Sequence, residues 1–241
     1  MKLINSVTLL LTVFFLSTGC KKESKKTDGT AYKCTSCVTT PEANAANDAS
    51  SKGIYKGIVI GSTGTIKLDV QNAGATIKAY LTIDGTSIEL TSNVSWEGTE
   101  NYVAPFTGSL NGQPIAILFS VEMNGSQPLI SSANIPGHPN AQFTIVKETS
   151  NALIECFEGT YHSSNSEDGT FNILLSRTLN KWGGIARENG GNETDDINGT
   201  IVNNKLIDDG GTAVGTLSGD EINGKFTDDD GENTVKGKRT L

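Results

Sequence analysis

Two of the four cysteines stand close enough together to act as a pair, in Cys34-Thr35-Ser36-Cys37. A C-x-x-C sequence can be a redox pair, half of a zinc site or a small local disulfide. A thioredoxin-like redox pair needs a helix after the second cysteine, and Pro41 opposes helix continuation there. A zinc site needs a second pair or histidines, whereas Cys156, His138 and His162 each stand alone in the sequence.

Histidine is the other residue type that could carry catalysis, and this chain has only His138 and His162. Neither has a serine, cysteine or carboxylate at a spacing that predicts a catalytic triad. The chain also lacks the G-x-S-x-G, H-E-x-x-H and phosphate-binding glycine motifs. We therefore predict no catalytic residue, no cofactor and no enzymatic activity.

Acidic residues cluster at glycine-rich turns in the second half of the chain. Examples are Asp195-Asp196, Asp208-Asp209-Gly210-Gly211 and Asp228-Asp229-Asp230-Gly231-Glu232. A calcium loop needs oxygen ligands at alternate positions before its glycine, and Phe226 interrupts that series. We predict solvated turns and no metal site. The net charge of −8 also argues against a nucleic-acid partner, because phosphate contacts need clustered Lys and Arg.

Cys20 closes the stretch Leu16-Ser17-Thr18-Gly19-Cys20, directly behind an apolar run at 7–16. That run has about ten residues, which suits a signal peptide and is too short for a membrane-spanning helix. The pattern resembles the lipobox of a bacterial lipoprotein signal peptide, although Ser17 stands where leucine is usual. The resemblance implies removal of residues 1–19 and lipid attachment at Cys20. The alternative is an ordinary secretory signal followed by a chance cysteine.

Residues 20–52 are predicted to be a flexible, acylated tether. Diacylglycerol and an amide-linked chain on Cys20 would give more than one anchor, as stable membrane attachment requires. The rest of this segment has almost no large apolar residues and cannot bury enough surface to fold alone. In an oxidising compartment a local disulfide between Cys34 and Cys37 is favoured, outside any predicted core. Cys156 is then either buried or able to exchange with that pair.

From Gly53 onward the sequence predicts an all-β, antiparallel meander, because apolar and polar residues alternate along short runs. Turn-forming dipeptides separate the runs, and a meander closes into a barrel or sandwich to remove its exposed edges. The longest runs are Ile66, Leu68 and Val70; Ile77, Ala79, Leu81 and Ile83; and Ile115, Ile117, Phe119, Val121 and Met123. The dipeptides are Asp84-Gly85, Asn111-Gly112, Asn124-Gly125, Asp168-Gly169 and Asp230-Gly231.

A short internal repeat divides this body in two. Ile54-Tyr55-Lys56-Gly57 leads to Gly64-Thr65-Ile66, as Gly159-Thr160-Tyr161-His162 leads to Gly169-Thr170-Phe171. We predict one module at 53–150 and a second at 151–241, each a small barrel or sandwich, with a single shared body as the alternative.

The lipobox, the tether and the Gly-Thr-apolar meander together resemble the small β-barrel lipoproteins of Bacteroidota. Their barrels are loosely similar to the calycin group, which includes lipocalins and avidin-like proteins. The lipocalin Gly-x-Trp signature is absent, since Gly53-Ile54-Tyr55 and Gly159-Thr160-Tyr161 carry tyrosine instead. The resemblance implies a lipid-anchored protein of the outer membrane, facing the periplasm or the cell surface, without enzymatic activity.

Two functions follow as hypotheses. One is a binding module for a small apolar ligand or a surface polymer, and the other is a structural scaffold of the envelope. Because the first module has the longer apolar runs, we predict any ligand cavity there. Its expected lining is Ile66, Leu68, Val70, Ile115, Ile117, Phe119, Val121 and Met123.

Overall fold

The computed structural model describes residues 31–96, 100–165, 167–191, 193–228 and 231–241. The predicted signal peptide at 1–19, the predicted lipid site Cys20 and the start of the predicted tether lie outside these residues. The described chain is all-β apart from one short 3-10 turn, Ala45–Asn47. Within the same residues, no helix has the length and apolar character needed to cross a membrane.

The first eight strands form a meander that curls into a barrel, called barrel 1 below. They are β1 (Gly53–Ile60), β2 (Gly64–Val70), β3 (Ile77–Ile83), β4 (Thr86–Thr91), β5 (Tyr102–Leu110), β6 (Gln113–Val121), β7 (Leu129–Asn134) and β8 (Gln142–Lys147). Each strand pairs with its neighbours in the order β7-β6-β5-β4-β3-β2-β1-β8. Because β7 and β8 are not hydrogen-bonded to each other, this barrel is nearly closed.

The next eight strands form a fully closed barrel, called barrel 2 below. They are β9 (Glu155–Ser163), β10 (Asp168–Ser176), β11 (Lys181–Glu188), β12 (Asp195–Val202), β13 (Lys205–Asp208), β14 (Ala213–Ser218), β15 (Glu221–Asp228) and β16 (Gly231–Arg239). Strand β16 pairs antiparallel with β9 and removes the last edge. The prediction of an all-β fold with two tandem modules is confirmed.

Two-residue turns link several strands through left-handed backbone conformations. Asp84 and Gly85 have φ of 44° and 77°, and Asn111-Gly112 has 51° and 79°. Such paired positive φ values match the twist of adjoining antiparallel strands. Asn203-Asn204 adds an unpredicted turn of the same kind, with φ of 50° and 62°. The predicted turn at Asp168-Gly169 is wrong, because both residues belong to β10.

The interior of barrel 1 is a filled aromatic and aliphatic core. Phe119 lies at its centre, with its ring centroid 5.0 Å from that of Tyr55 and 6.2 Å from that of Phe106. Seven of the eight predicted cavity residues are buried in this core, at 0–2 % exposure: Ile66, Leu68, Val70, Ile115, Ile117, Phe119 and Val121. The eighth, Met123, is 49 % exposed because β6 ends at Val121.

The predicted repeat corresponds to the first hairpin of each barrel, with a shift in one strand. Gly57 pairs with Ile66 in barrel 1, and Gly159 pairs with Phe171 in barrel 2. Tyr55-Lys56-Gly57 is therefore equivalent to Phe157-Glu158-Gly159. The sequence repeat instead matches it to Thr160-Tyr161-His162, three positions later on β9, because the chain between the paired residues is three residues longer in barrel 2.

Residues 31–52 lie against the barrels, which differs from the flexible tether predicted to extend to residue 52. The Cys34 backbone N–H donates to Asp220 Oδ2 at 2.9 Å, and the Tyr32 hydroxyl donates to the Arg239 carbonyl at 2.9 Å. Polar contacts rather than apolar burial hold this segment. Its composition therefore resembled that of a disordered chain.

Cys34 and Cys37 form a disulfide, with their Cα atoms 5.4 Å apart. Cys34 is buried against barrel 2 rather than lying outside the core. Cys156 is a free, fully buried thiol, and its burial raises its pKa to about 12.

A buried ion pair holds the junction between the barrels. Lys56 Nζ lies 2.6 Å from Glu148 Oε2, and both side chains have no exposed surface. Glu148 also accepts the backbone N–H of Ile154 at 3.0 Å and that of Glu42 at 2.6 Å. Lys56 and Glu148 thus connect strand β1, the linker between the barrels and the N-terminal segment.

Apolar packing also joins the two barrels. Ile58, Ile154, Cys156 and Leu174 form a small buried cluster separate from both barrel interiors. The Asn172 side-chain amide donates across the junction to the Val59 carbonyl at 2.9 Å. Each barrel therefore has its own core, and residues 31–241 form one unit.

Candidate ligand-binding site

A cavity of about 510 Å³ lies in barrel 2, and its walls are mostly apolar. The wall residues project inward from β10 to β16, at positions that alternate along each strand. They include Phe171, Ile173, Trp182, Ala186, Ile197, Leu206, Val214, Ile222, Phe226 and Val235. The volume is within the range of small-molecule sites in proteins.

Barrel 2 is hollow while barrel 1 is filled because fewer large side chains project into barrel 2, and glycines occupy some of its inward positions. A Cβ atom at Gly215 would contact the Ile222 and Leu206 side chains, and one at Gly224 would overlap the Val214 carbonyl and contact Val235. Large side chains occupy most inward positions of barrel 1. Among the described residues, twenty-two buried apolar residues form the core of barrel 1, against nine in barrel 2. Both barrels have eight strands, so the smaller set leaves space unfilled.

The mouth of this cavity is acidic. Six carboxylate residues belong to its described wall: Glu167, Asp195, Asp196, Asp208, Asp209 and Asp228. They come from the loops and strand ends at one end of barrel 2, where β9–β10, β11–β12, β13–β14 and β15–β16 are connected. The same described wall contains no Lys or Arg. We call these six residues the acidic rim.

Turn geometry holds part of the acidic rim in place. Asp208 Oδ1 accepts a hydrogen bond from the backbone N–H of Thr212 at 2.7 Å. The Asp208 backbone carbonyl accepts one from the backbone N–H of Gly211 at 3.0 Å. Asp228 Oδ2 accepts the Asn233 side-chain amide at 2.8 Å. The two carboxylates are therefore oriented by the strands they terminate.

Tyr161 lies at the mouth close to several carboxylates. Burial raises the pKa of its phenol, and the negative charges of Glu188, Asp195, Glu167 and Asp168 raise it further. The Tyr161 ring covers Gly169 on β10, where a Cβ atom would overlap it. An aromatic ring thus lies among carboxylates at the entrance.

The opposite end of barrel 2 is closed by side chains. Phe157, Leu175 and Leu217 are buried in its core and do not belong to the cavity wall. Beyond them, Arg239 Nη1 lies 3.2 Å from Glu155 Oε1, and Arg239 Nη2 donates to the Val38 carbonyl at 2.6 Å. The cavity therefore opens toward the acidic rim.

The structure places this cavity in the second module, whereas we predicted it in the first. The long apolar ladders of barrel 1 fill their own interior instead of lining an empty one. The sequence signal for the hollow barrel was its glycine content. The sequence predicts turns at the glycines of 151–241, but four of them lie in strands with their Cα atoms toward core side chains: Gly159, Gly215, Gly224 and Gly237.

Three polar residues that are distant in sequence lie close together at one end of barrel 1: Ser62, Asp84 and His138. His138 Nδ1 lies 2.8 Å from Ser62 Oγ and 3.7 Å from Asp84 Oδ2. A proton relay needs the serine at one ring nitrogen and the carboxylate at the other. Here both oxygens face the same nitrogen, so this arrangement is a loop hydrogen-bond cluster.

Other predicted groups are placed as follows. His162 Nδ1 contacts Asp168 Oδ1 on the outside of barrel 2, where both side chains are exposed. No group of three His, Cys, Asp or Glu within the described ranges could hold a metal ion.

Comparison of the chain with protein-family models, curated proteins and solved structures finds no match.

Proposed function

We propose that this protein is a lipid-anchored lipoprotein of the bacterial outer membrane, facing the periplasm or the cell surface. Its second barrel is a non-enzymatic binding module for a small ligand with an apolar body. The lipobox-like stretch ending at Cys20 supports the anchor. The observation that carries the binding role is the apolar cavity of about 510 Å³ inside barrel 2.

The shape of the site favours a small molecule over a surface polymer. A cavity closed at one end by Phe157, Leu175 and Leu217 accepts one molecule through its mouth, whereas a chain polymer needs an open groove. Burying the ligand's apolar surface supplies the main favourable free energy, at roughly 25 cal/mol per Å².

A scaffold role is the second candidate, and the filled core of barrel 1 favours it for that half. With its interior occupied by packed side chains, barrel 1 offers only its outer surface and loops for contacts. In this proposal barrel 1 holds barrel 2 at the membrane and contributes no ligand pocket.

The anchor is tested by mass spectrometry of the native N-terminus. We expect a lipid on Cys20 and loss of the protein from the membrane fraction in Cys20→Ala. An unmodified Cys20 in the native protein would refute the anchor and leave the binding role standing.

The binding role is tested with the full chain carrying Cys20→Ala, which needs no detergent, and the neutral dye N-phenyl-1-naphthylamine. Of the two tryptophans, Trp182 lines the cavity, so Trp96→Phe makes it the only fluorescence donor to bound dye. We expect saturable energy transfer from Trp182 to the dye.

Replacing one of two alanines by phenylalanine tests whether the dye binds inside the cavity. Ala186 lies in the cavity wall opposite Phe171 on the paired strand, so Ala186→Phe fills the space. Ala213 is exposed and outside the wall, so Ala213→Phe adds the same ring at the surface. We expect at least tenfold weaker dye binding in the first and an unchanged Kd in the second. Equal dye affinity in the two folded variants would exclude the cavity as the binding site.

A further inference from the structure

The charge of the cavity mouth restricts the ligand class, if barrel 2 binds a small ligand as proposed above. Every charged residue in the described cavity wall is acidic. A ligand whose polar group remains at the mouth while its apolar part enters the barrel must place that group among these carboxylates. An anionic group there would be repelled, and a cationic one attracted.

The basic side chains near this end of barrel 2 are directed away from the cavity. Arg187 Nη1 donates to the Gly61 carbonyl of barrel 1 at 2.9 Å. Lys225 Nζ lies 2.8 Å from Glu232 Oε2, outside the cavity wall. The described cavity wall therefore places no basic side chain beside the acidic rim.

The arrangement of the carboxylates suits an organic cation better than a metal ion. A metal site needs its ligands within about 2–3 Å of one point. No group of three acidic, histidine or cysteine residues in the described chain converges in that way. A rim spread around an opening instead attracts a bulky charge, such as an alkylammonium group, that moves among several partners.

Aromatic rings at the mouth add a second form of cation recognition. Tyr161 and Phe226 both belong to the cavity wall together with the acidic rim. Ammonium groups bind to the faces of such rings, most strongly where water is excluded. The Tyr161 ring packs over Gly169 at the mouth.

We propose that barrel 2 binds hydrophobic cations, meaning small molecules with an apolar body inserted into the barrel and an amine or quaternary ammonium group at the acidic rim. This inference rests on the proposed binding function and specifies its ligand class. It excludes fatty acids and other anionic amphiphiles as preferred ligands.

The test measures displacement of N-phenyl-1-naphthylamine by two amphiphiles with the same chain, decyltrimethylammonium and decyl sulfate, below their micellar concentrations. We expect the cation to bind at least tenfold more tightly than the anion. Raising the salt concentration from 0.05 to 0.5 M should weaken binding of the cation, because salt screens exposed charges. The affinity for the neutral dye should not change.

Charge-matched triple variants separate the acidic rim from the overall charge. Asp195→Asn, Asp196→Asn and Asp209→Asn together remove three exposed rim carboxylates. The control removes three carboxylates from barrel 1 through Glu89→Gln, Glu100→Gln and Glu122→Gln. We expect about tenfold weaker decyltrimethylammonium binding in the rim variant only, since each exposed charge contributes modestly.

The possible results are distinct. Absence of dye binding by the folded protein overturns the proposed function itself. Dye binding with equal affinity for both amphiphiles, or equal effects of the two triple variants, overturns the cation preference and leaves the binding function in place.

Discussion

The substitution Lys56→Met removes the lysine that pairs with the buried Glu148 carboxylate. Lys56 Nζ lies 2.6 Å from Glu148 Oε2, and neither side chain is exposed. Removing one member of a buried ion pair typically destabilises a protein by about 3–5 kcal/mol, because the remaining charge is uncompensated. Glu148 keeps two backbone N–H donors, from Glu42 and Ile154, so we expect the lower part of that range.

The double variant Lys56→Met/Glu148→Gln provides the control. A neutral glutamine at 148 keeps an oxygen for one of those backbone donors while removing the unpaired charge. We expect its free energy of unfolding to return to within about 1.5 kcal/mol of wild type.

Urea denaturation followed by tryptophan fluorescence gives the three free energies by linear extrapolation. Destabilisation of Lys56→Met by less than about 1 kcal/mol, or no recovery in the double variant, would refute the argument that this pair holds the junction together.

Three further predictions concern the N-terminal segment and barrel 1. Although burial opposes it, the hydrogen bond and charge of Lys67, aided by a second lysine, lower the pKa of Glu42 below its usual 4.5. The ionised Glu42 therefore stabilises the fold above pH 4.5 and loses this effect as the pH falls through its folded pKa. We expect the difference in unfolding free energy between wild type and Glu42→Gln, measured by urea denaturation, to shrink in acid. Reduction of the Cys34–Cys37 disulfide should destabilise the protein by about 2 kcal/mol, seen as a Tm lower by about 4–8 °C; an unchanged Tm would mean that residues 31–52 contribute nothing to the fold. Phe119→Ala should destabilise barrel 1 by about 3–5 kcal/mol and leave the Kd for the neutral dye within about twofold, whereas loss of dye binding in the folded variant would contradict the placement of the site.

The fold class was predictable because strand alternation is a local property of the sequence. The ladder from Ile115 to Val121 places a buried apolar residue at every second position and forms β6 as expected. The ladder could not show whether its side chains would meet each other or surround a space. That outcome depends on the opposite wall, where Tyr55 and Phe106 from other strands fill the centre.

The position of the cavity depended on glycines in strands rather than on apolar residues. In sequence, Gly215 and Gly224 look like the turn glycines around them, and only the barrel register shows that they face inward. The acidic rim was visible as Asp195-Asp196 and Asp208-Asp209. Its meaning required the topology, because loops distant in sequence meet at one end of a barrel.

The N-terminal segment shows a further limit of composition. Residues 31–52 carry few large apolar side chains, which indicates a flexible tether. Their contacts depend on particular long-range partners, such as Asp220 for the Cys34 N–H and Glu148 for the Glu42 N–H. A single sequence contains no signal for such pairs.

The central claim is that the second barrel, and not the first, holds the ligand. Nuclear Overhauser contacts between bound N-phenyl-1-naphthylamine and labelled isoleucine methyl groups test it directly, since Ile173 and Ile222 line the cavity while Ile66 and Ile117 lie in the core of barrel 1. We predict contacts from the dye to Ile173 and Ile222 and none to Ile66 or Ile117. Contacts to Ile66 or Ile117, or bound dye without contacts to Ile173 and Ile222, would contradict it.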